Sequence, residues 1–102
     1  MPAHSLPPKE ALILDLLIRA GELYGLELVA RSRRQLKRGT VYVTLGRMEA
    51  KGLITSRLEP RAPDEGGLPR RIYEPTAGGR RVHAAWTEMA RATRKLAVEF
   101  AR

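Results

Sequence analysis

The sequence predicts a mainly α domain with one small β-hairpin, and three observations predict it. Apolar residues recur at helical positions in three early stretches and in one long late one. Two short runs of strand character flank a segment rich in Pro and Gly between Pro60 and Pro69, as a hairpin requires. Of the 102 residues 43% are hydrophobic, enough for one modest core in a single domain.

Residues 1–8 read as a loose, Pro-rich arm. Pro7-Pro8 favours a helix start, with Lys9-Glu10 in the first turn. Ala11 to Ile18 is apolar apart from Asp15 and reads as a well-buried helix ending at Gly21. A second helix is expected from Tyr24 to about Arg33, although Gly25 is a poor helix former near its start. From Arg31 to Arg38 the apolar period disappears, leaving only Leu36, so a turn is expected there.

The stretch Arg38 to Ile54, read as a helix stopped by Gly52, has two unlike faces. Val41, Leu45 and Met48 form an apolar stripe. Thr40, Thr44, Arg47 and Lys51 form a second row of hydroxyls and cations without an acid. A helix with a packed back and a basic, hydroxyl-bearing front suits a DNA major groove, and equally suits an ordinary solvated surface.

Leu53 to Glu59 reads as a strand with Ile54, Ser56 and Leu58 on one side, and Arg70 to Glu74 as its partner, ending at Pro75. Thr76-Ala77-Gly78-Gly79 opens a last helix, in which Val82, Trp86, Met89, Thr93, Leu96 and Phe100 are spaced 4, 3, 4, 3 and 4. That is coiled-coil seam spacing. Part of the helix can pack on the first one, while its outer part suits a second copy of the chain; the alternative is a monomer with the whole helix folded back. The order helix, helix, helix, hairpin, helix is that of a winged helix-turn-helix with a C-terminal dimerisation helix. The expected division is an arm over 1–8, a winged-helix DNA-binding domain over 9–75 and a dimerisation helix over 76–102.

The net charge is +8, and +7 of it lies between Arg31 and Arg71, where eleven basic residues face four acids. Such concentration is the footprint of a polyanion partner. No basic amphipathic helix with exposed aromatics supports a membrane surface instead, and no apolar run approaches the ~18–20 residues of a membrane span. With no Cys and no secretion signal, a cytoplasmic protein is expected. Catalysis is not expected. The only histidines are His4 and His83, no carboxylates cluster at metal-ligand spacing, and Ser5, Ser32 and Ser56 lack a nucleophile motif. Glu10, Asp15 and Glu22 read as solvated helix-end charges, and Gly66-Gly67 lacks the strand-to-helix context of a phosphate cradle. No cofactor is expected.

LYGLEL at Leu23–Leu28, RGTVY at Arg38–Tyr42, L-x-R-M-E-x-K-G-L-I at Leu45–Ile54 and PRRIYEPTAGG at Pro69–Gly79 occur in that order. Together they resemble the PadR family of bacterial transcriptional regulators over about residues 11–82. The single tail helix resembles the family's short subclass. The resemblance implies that the third helix reads DNA, that the hairpin is a wing on the backbone or minor groove, and that the dimer holds an effector site. Tyr42 and Lys51 match positions that the family uses at DNA. Val43 departs from the family's usual proline, Gly46 from a larger residue, and Pro75 from an apolar strand-end residue.

The expected function is a homodimeric, sequence-specific regulator of double-stranded DNA, of the repressor type. Thr40, Thr44 and Arg47 would face base edges, Val43 could touch a thymine methyl, and Arg38, Arg61, Arg70 and Arg71 would add backbone contacts. Val82, Trp86, Met89, Leu96 and Phe100 would form the dimer seam. By resemblance the effector is a small apolar or aromatic compound, with Trp86 and Met89 as pocket candidates against the alternative of dry dimer packing. Two rivals remain. One is a sequence-indifferent architectural DNA binder; the other is a protein–protein module on the same scaffold.

Overall fold

The computed structural model describes residues 6–60 and 69–101. Helix α1 spans Pro8–Ala20, β1 Leu23–Tyr24, α2 Gly25–Arg31, α3 Val41–Ala50, β2 Ile54–Glu59, β3 Arg70–Pro75 and α4 Ala77–Phe100. This is the winged helix-turn-helix arrangement followed by one long helix.

Helix α1 starts where proline allows it to, since Pro8 occupies the first turn and has no N–H to leave unsatisfied. It stops at Gly21, whose φ of 91° is open to glycine and whose N–H bonds the Leu17 carbonyl at 2.7 Å. Leu6, read as part of a loose arm, packs against the core. Ile13, Leu14 and Leu17 are fully buried and meet Leu28 of α2 and Val41, Leu45 and Met48 of α3. The apolar stripe expected of the third helix is therefore its packed back. That helix is shorter than the stretch Arg38 to Ile54. After Ala50 the chain closes in two bonds, Gly52 N–H to Glu49 and Leu53 N–H to Met48, each 3.0 Å, with Gly52 at φ 78°.

The expected start of the second helix needs correction. Leu23-Tyr24 is a strand, antiparallel to β3, with Leu23 opposite Tyr73 and Tyr24 opposite Ile72. The sheet thus has three strands in the order β1-β3-β2 rather than two. Glu27 Oε1 accepts the Tyr24 N–H at 2.9 Å, which turns the strand directly into α2. Between β2 and β3, Ile54 faces Pro75 and Glu59 faces Arg70. Ile54 is buried and Ser56 half-buried, but Leu58, expected on the same covered side, is 56% exposed because the wing has run past the core.

Helix α4 begins with Thr76, whose hydroxyl accepts the Gly79 N–H at 2.9 Å and donates to the Gly52 carbonyl. Gly79 is buried against Leu53; a Cβ there would overlap the Leu53 carbonyl. The helix root is thereby fixed to the end of α3. Its outer half, from Arg91 onward, is exposed on every side, and the molecule measures 62 × 26 × 21 Å.

Candidate nucleic-acid interface

Burying Val41, Leu45 and Met48 turns the opposite side of α3 outward. Thr40, Tyr42, Val43, Gly46 and Arg47 are exposed there and Thr44 is half-buried. Val43 is 57% exposed, a large apolar group that the chain itself leaves uncovered. Arg47 makes no ion pair among the described residues. Arg38 lies exposed in the turn before the helix. Apart from Arg38, these residues share the uncovered side of α3, and Lys51 at its end differs from them.

The Lys51 ammonium lies 2.9 Å from both oxygens of Glu10, whose side chain is 5% exposed against 49% for the lysine. Glu10 is therefore not a solvated helix-end charge, as its place in a first turn suggested. It is a buried carboxylate that requires a cation, since an unpaired buried charge is costly. Lys51 supplies that cation and ties the end of α3 to the start of α1. The ammonium has a third N–H beyond these two bonds, on a side chain that is half exposed.

Tyr42 owes its position to a glycine. A Cβ on Gly25 would come within 2.5 Å of the Tyr42 ring, so the ring lies directly over the first turn of α2. The Gly25 that argued weakly against a helix is what brings α2 and α3 together.

Arg70 and Arg71 of the wing are held rather than loose. The Arg70 guanidinium stacks 4.0 Å from the centre of the Tyr24 ring, while the Tyr24 hydroxyl donates to Glu59. That bond to Glu59, then partial burial, raises the Tyr24 pKa above its ordinary 10.0. Arg71 donates to Ser56 Oγ at 3.0 Å, and Ser56 donates to Glu49 of α3 at 2.9 Å. The wing and α3 are joined through this chain. Arg57, in contrast, bridges Glu22 and Glu74 across the sheet, at 3.2 and 3.5 Å, and serves the fold. Glu22 is accordingly a paired acid. Arg61 and Gly66-Gly67 lie outside the described residues.

Two features of this surface are not apparent from the sequence. Tyr24 and Glu59 organise the wing, and only a correct strand assignment for Leu23-Tyr24 would have revealed them. Arg31, Arg33, Arg34 and Lys37 are all exposed in the turn between α2 and α3, where the signal was present in the charge count but had no geometry.

On α4, Val82 packs partly against the chain's own core and Trp86 is half-buried, whereas Met89, Leu96 and Phe100 are 45, 53 and 85% exposed. Trp86 lines a cleft of about 540 Å³ between α1 and α4, together with Leu6, Leu12 and Ala90. Met89 lies outside that cleft and borders a shallower hollow of about 350 Å³ with Trp86 and Thr93. Asp15, in the same region, pairs with Arg19 at 2.9 Å and with His83 at 3.1 Å. Among the described residues no helix is long and apolar enough to cross a membrane.

The Transcriptional regulator PadR-like family matches residues 13–85. Transcriptional regulator Rv3488 of Mycobacterium tuberculosis is 44% identical over 71 residues, 70% of this chain; the chain spans about 60% of that relative's length. A PadR family transcription regulator from Clostridium difficile superposes with a TM-score of 0.77 at 28% identity, covering 94% of this chain and 100% of that one. Bacillus subtilis PadR, solved in complex with operator DNA, gives 0.71 at 24% identity over 81% of this chain and 48% of its own. The match over residues 13–85 takes in most of α1, all of α2, α3 and the sheet, and the root of α4, and the chain belongs to the PadR-like family of transcriptional regulators.

Proposed function

We propose that this regulator is a homodimeric, sequence-specific repressor that binds DNA through α3 and the wing and responds to a small effector. The observation that carries the reading is the outward face of α3. It holds the hydroxyls of Thr40, Tyr42 and Thr44, one guanidinium unpaired among the described residues and an uncovered Val43, on a helix whose back is fixed in the core. A groove accepts such a face, and Arg pairs with guanine through two hydrogen bonds. That the Bacillus subtilis PadR relative was solved with operator DNA supports it.

The dimer rests on α4. Met89, Leu96 and Phe100 form one exposed apolar row, a large uncovered stripe of the kind that marks an association surface. A second copy is the simplest partner for it, because twofold pairing also gives two reading helices. The effector rests on the α1–α4 cleft beside Trp86, with Met89 at its margin in the neighbouring hollow.

Arg47→Ala tests the reading face. The variant should fold as the wild type does, because Arg47 is exposed and unpaired among the described residues. Its affinity for a duplex selected by the wild type should fall by about 1–3 kcal/mol, measured by anisotropy titration. Unchanged affinity would contradict the assignment.

A further inference from the structure

The turn between α2 and α3 contains two residues in a conformation that side chains disfavour. Arg33 has φ 53° and Arg34 φ 71°; neither is glycine, and they are consecutive. In this left-handed region a Cβ crowds the backbone, so glycine or asparagine is the usual occupant. The turn is nevertheless well fixed. Ser32 is 2% exposed, its hydroxyl donating to the Val29 carbonyl at 2.8 Å and accepting the Leu36 N–H at 3.0 Å. Leu36, 3% exposed, anchors the other side, and the Thr40 and Val41 N–H groups close on the Lys37 carbonyl.

Neither arginine gives the fold anything in return. Both are exposed, and neither pairs with an acid among the described residues. Arg31, Lys37 and Arg38 complete five cations in eight residues with no acid between them. The other exposed residue within this run is Gln35, so no apolar side chain is present to enter a lipid surface. The turn leads into Thr40, the residue before α3, and its charges border the candidate reading face.

We propose that Arg33 and Arg34, with Lys37 beside them, form a second binding surface for the phosphodiester backbone, gripping DNA next to the bases read by α3. This rests on the DNA-binding reading above and adds a site to it. The guanidinium fork matches phosphate oxygens, and a pinned turn presents both forks without first having to order a loop.

The test is the double variant Arg33→Gly/Arg34→Gly, because glycine relieves the backbone while removing the charge. Wild type and variant are titrated with one selected duplex and one mixed-sequence duplex over a range of salt, and melted without DNA. The expected variant melts at the wild-type temperature or above it. It binds both duplexes more weakly, and its log affinity against log salt is shallower by about 1.8, from roughly 0.9 for each phosphate that is no longer neutralised. Arg33→Lys/Arg34→Lys should keep most of the wild-type slope. Wild-type affinity and slope in the glycine variant would overturn the inference alone. A lower melting temperature would overturn it too, by showing that the arginines serve the fold. A wild type that binds neither duplex would overturn the DNA-binding reading along with it.

Discussion

Gly46 lies on the outward side of α3, between Val43 and Arg47, and a Cβ placed there would meet nothing within 4 Å. Among the described residues no contact requires the missing side chain, yet glycine within a helix is less favourable than alanine by roughly 1 kcal/mol. Gly46→Ala should therefore stabilise the free protein by about that amount, read as a higher urea midpoint with unchanged slope. A destabilised variant would mean that position 46 meets something the fold itself needs. The same scale shows what a sequence can reveal about a single residue. Val41, Leu45 and Met48 were legible as a buried stripe because helical spacing alone determines which face they share. Glu10 and Lys51 were not, because their pairing spans 41 positions and depends on how α1 crosses α3. Periodicity carries no information about that crossing.

Among the elements, the helices were legible and the sheet was legible only in part. Pro8, Gly21, Gly52 and Thr76 mark ends of α1, α3 and α4 through local chemistry, which is where sequence signals are strongest. Strand β1 has two residues and exists only because β3 offers an edge to pair with, so nothing local announces it. The hairpin strands were legible from their composition and from the prolines that bound the segment between them. Two tyrosines of this sheet have a consequence for alkaline stability. Tyr24 is raised by its bond to Glu59, and Tyr73 by burial and then by the Glu49 charge, both from an ordinary 10.0. A raised folded-state value means that the folded chain holds these protons more tightly than the unfolded chain. The stabilisation is complete below pH 10.0 and is lost as pH rises through the raised values. Urea midpoints measured across that pH should be level below it and fall above it, and Tyr24→Phe should remove part of the fall. A stability that rises with alkaline pH would contradict the bond to Glu59.

For the whole molecule, the connections of α3 reach α1, the wing and α4. Lys51 joins α3 to α1, Thr76 and Gly79 join its end to the root of α4, and Glu49 joins it through Ser56 to the wing. In the proposed dimer, a change in the angle between two α4 helices would therefore move both reading helices together. The charge footprint of this surface was visible in the sequence, since +7 of +8 lies between Arg31 and Arg71. The division of that charge was not visible. Arg57 and Lys51 hold the fold, Arg70 and Arg71 are set in the wing, and Arg33, Arg34 and Arg47 stand unpaired among the described residues. Selection of binding sites from a random pool of duplexes tests the central proposal most directly. A homodimer that reads sequence through α3 should enrich an inverted repeat, with half-site centres about 10–10.5 base pairs apart or a multiple of that spacing. Recovery of a pool with no enriched sequence, bound by charge alone, would contradict it.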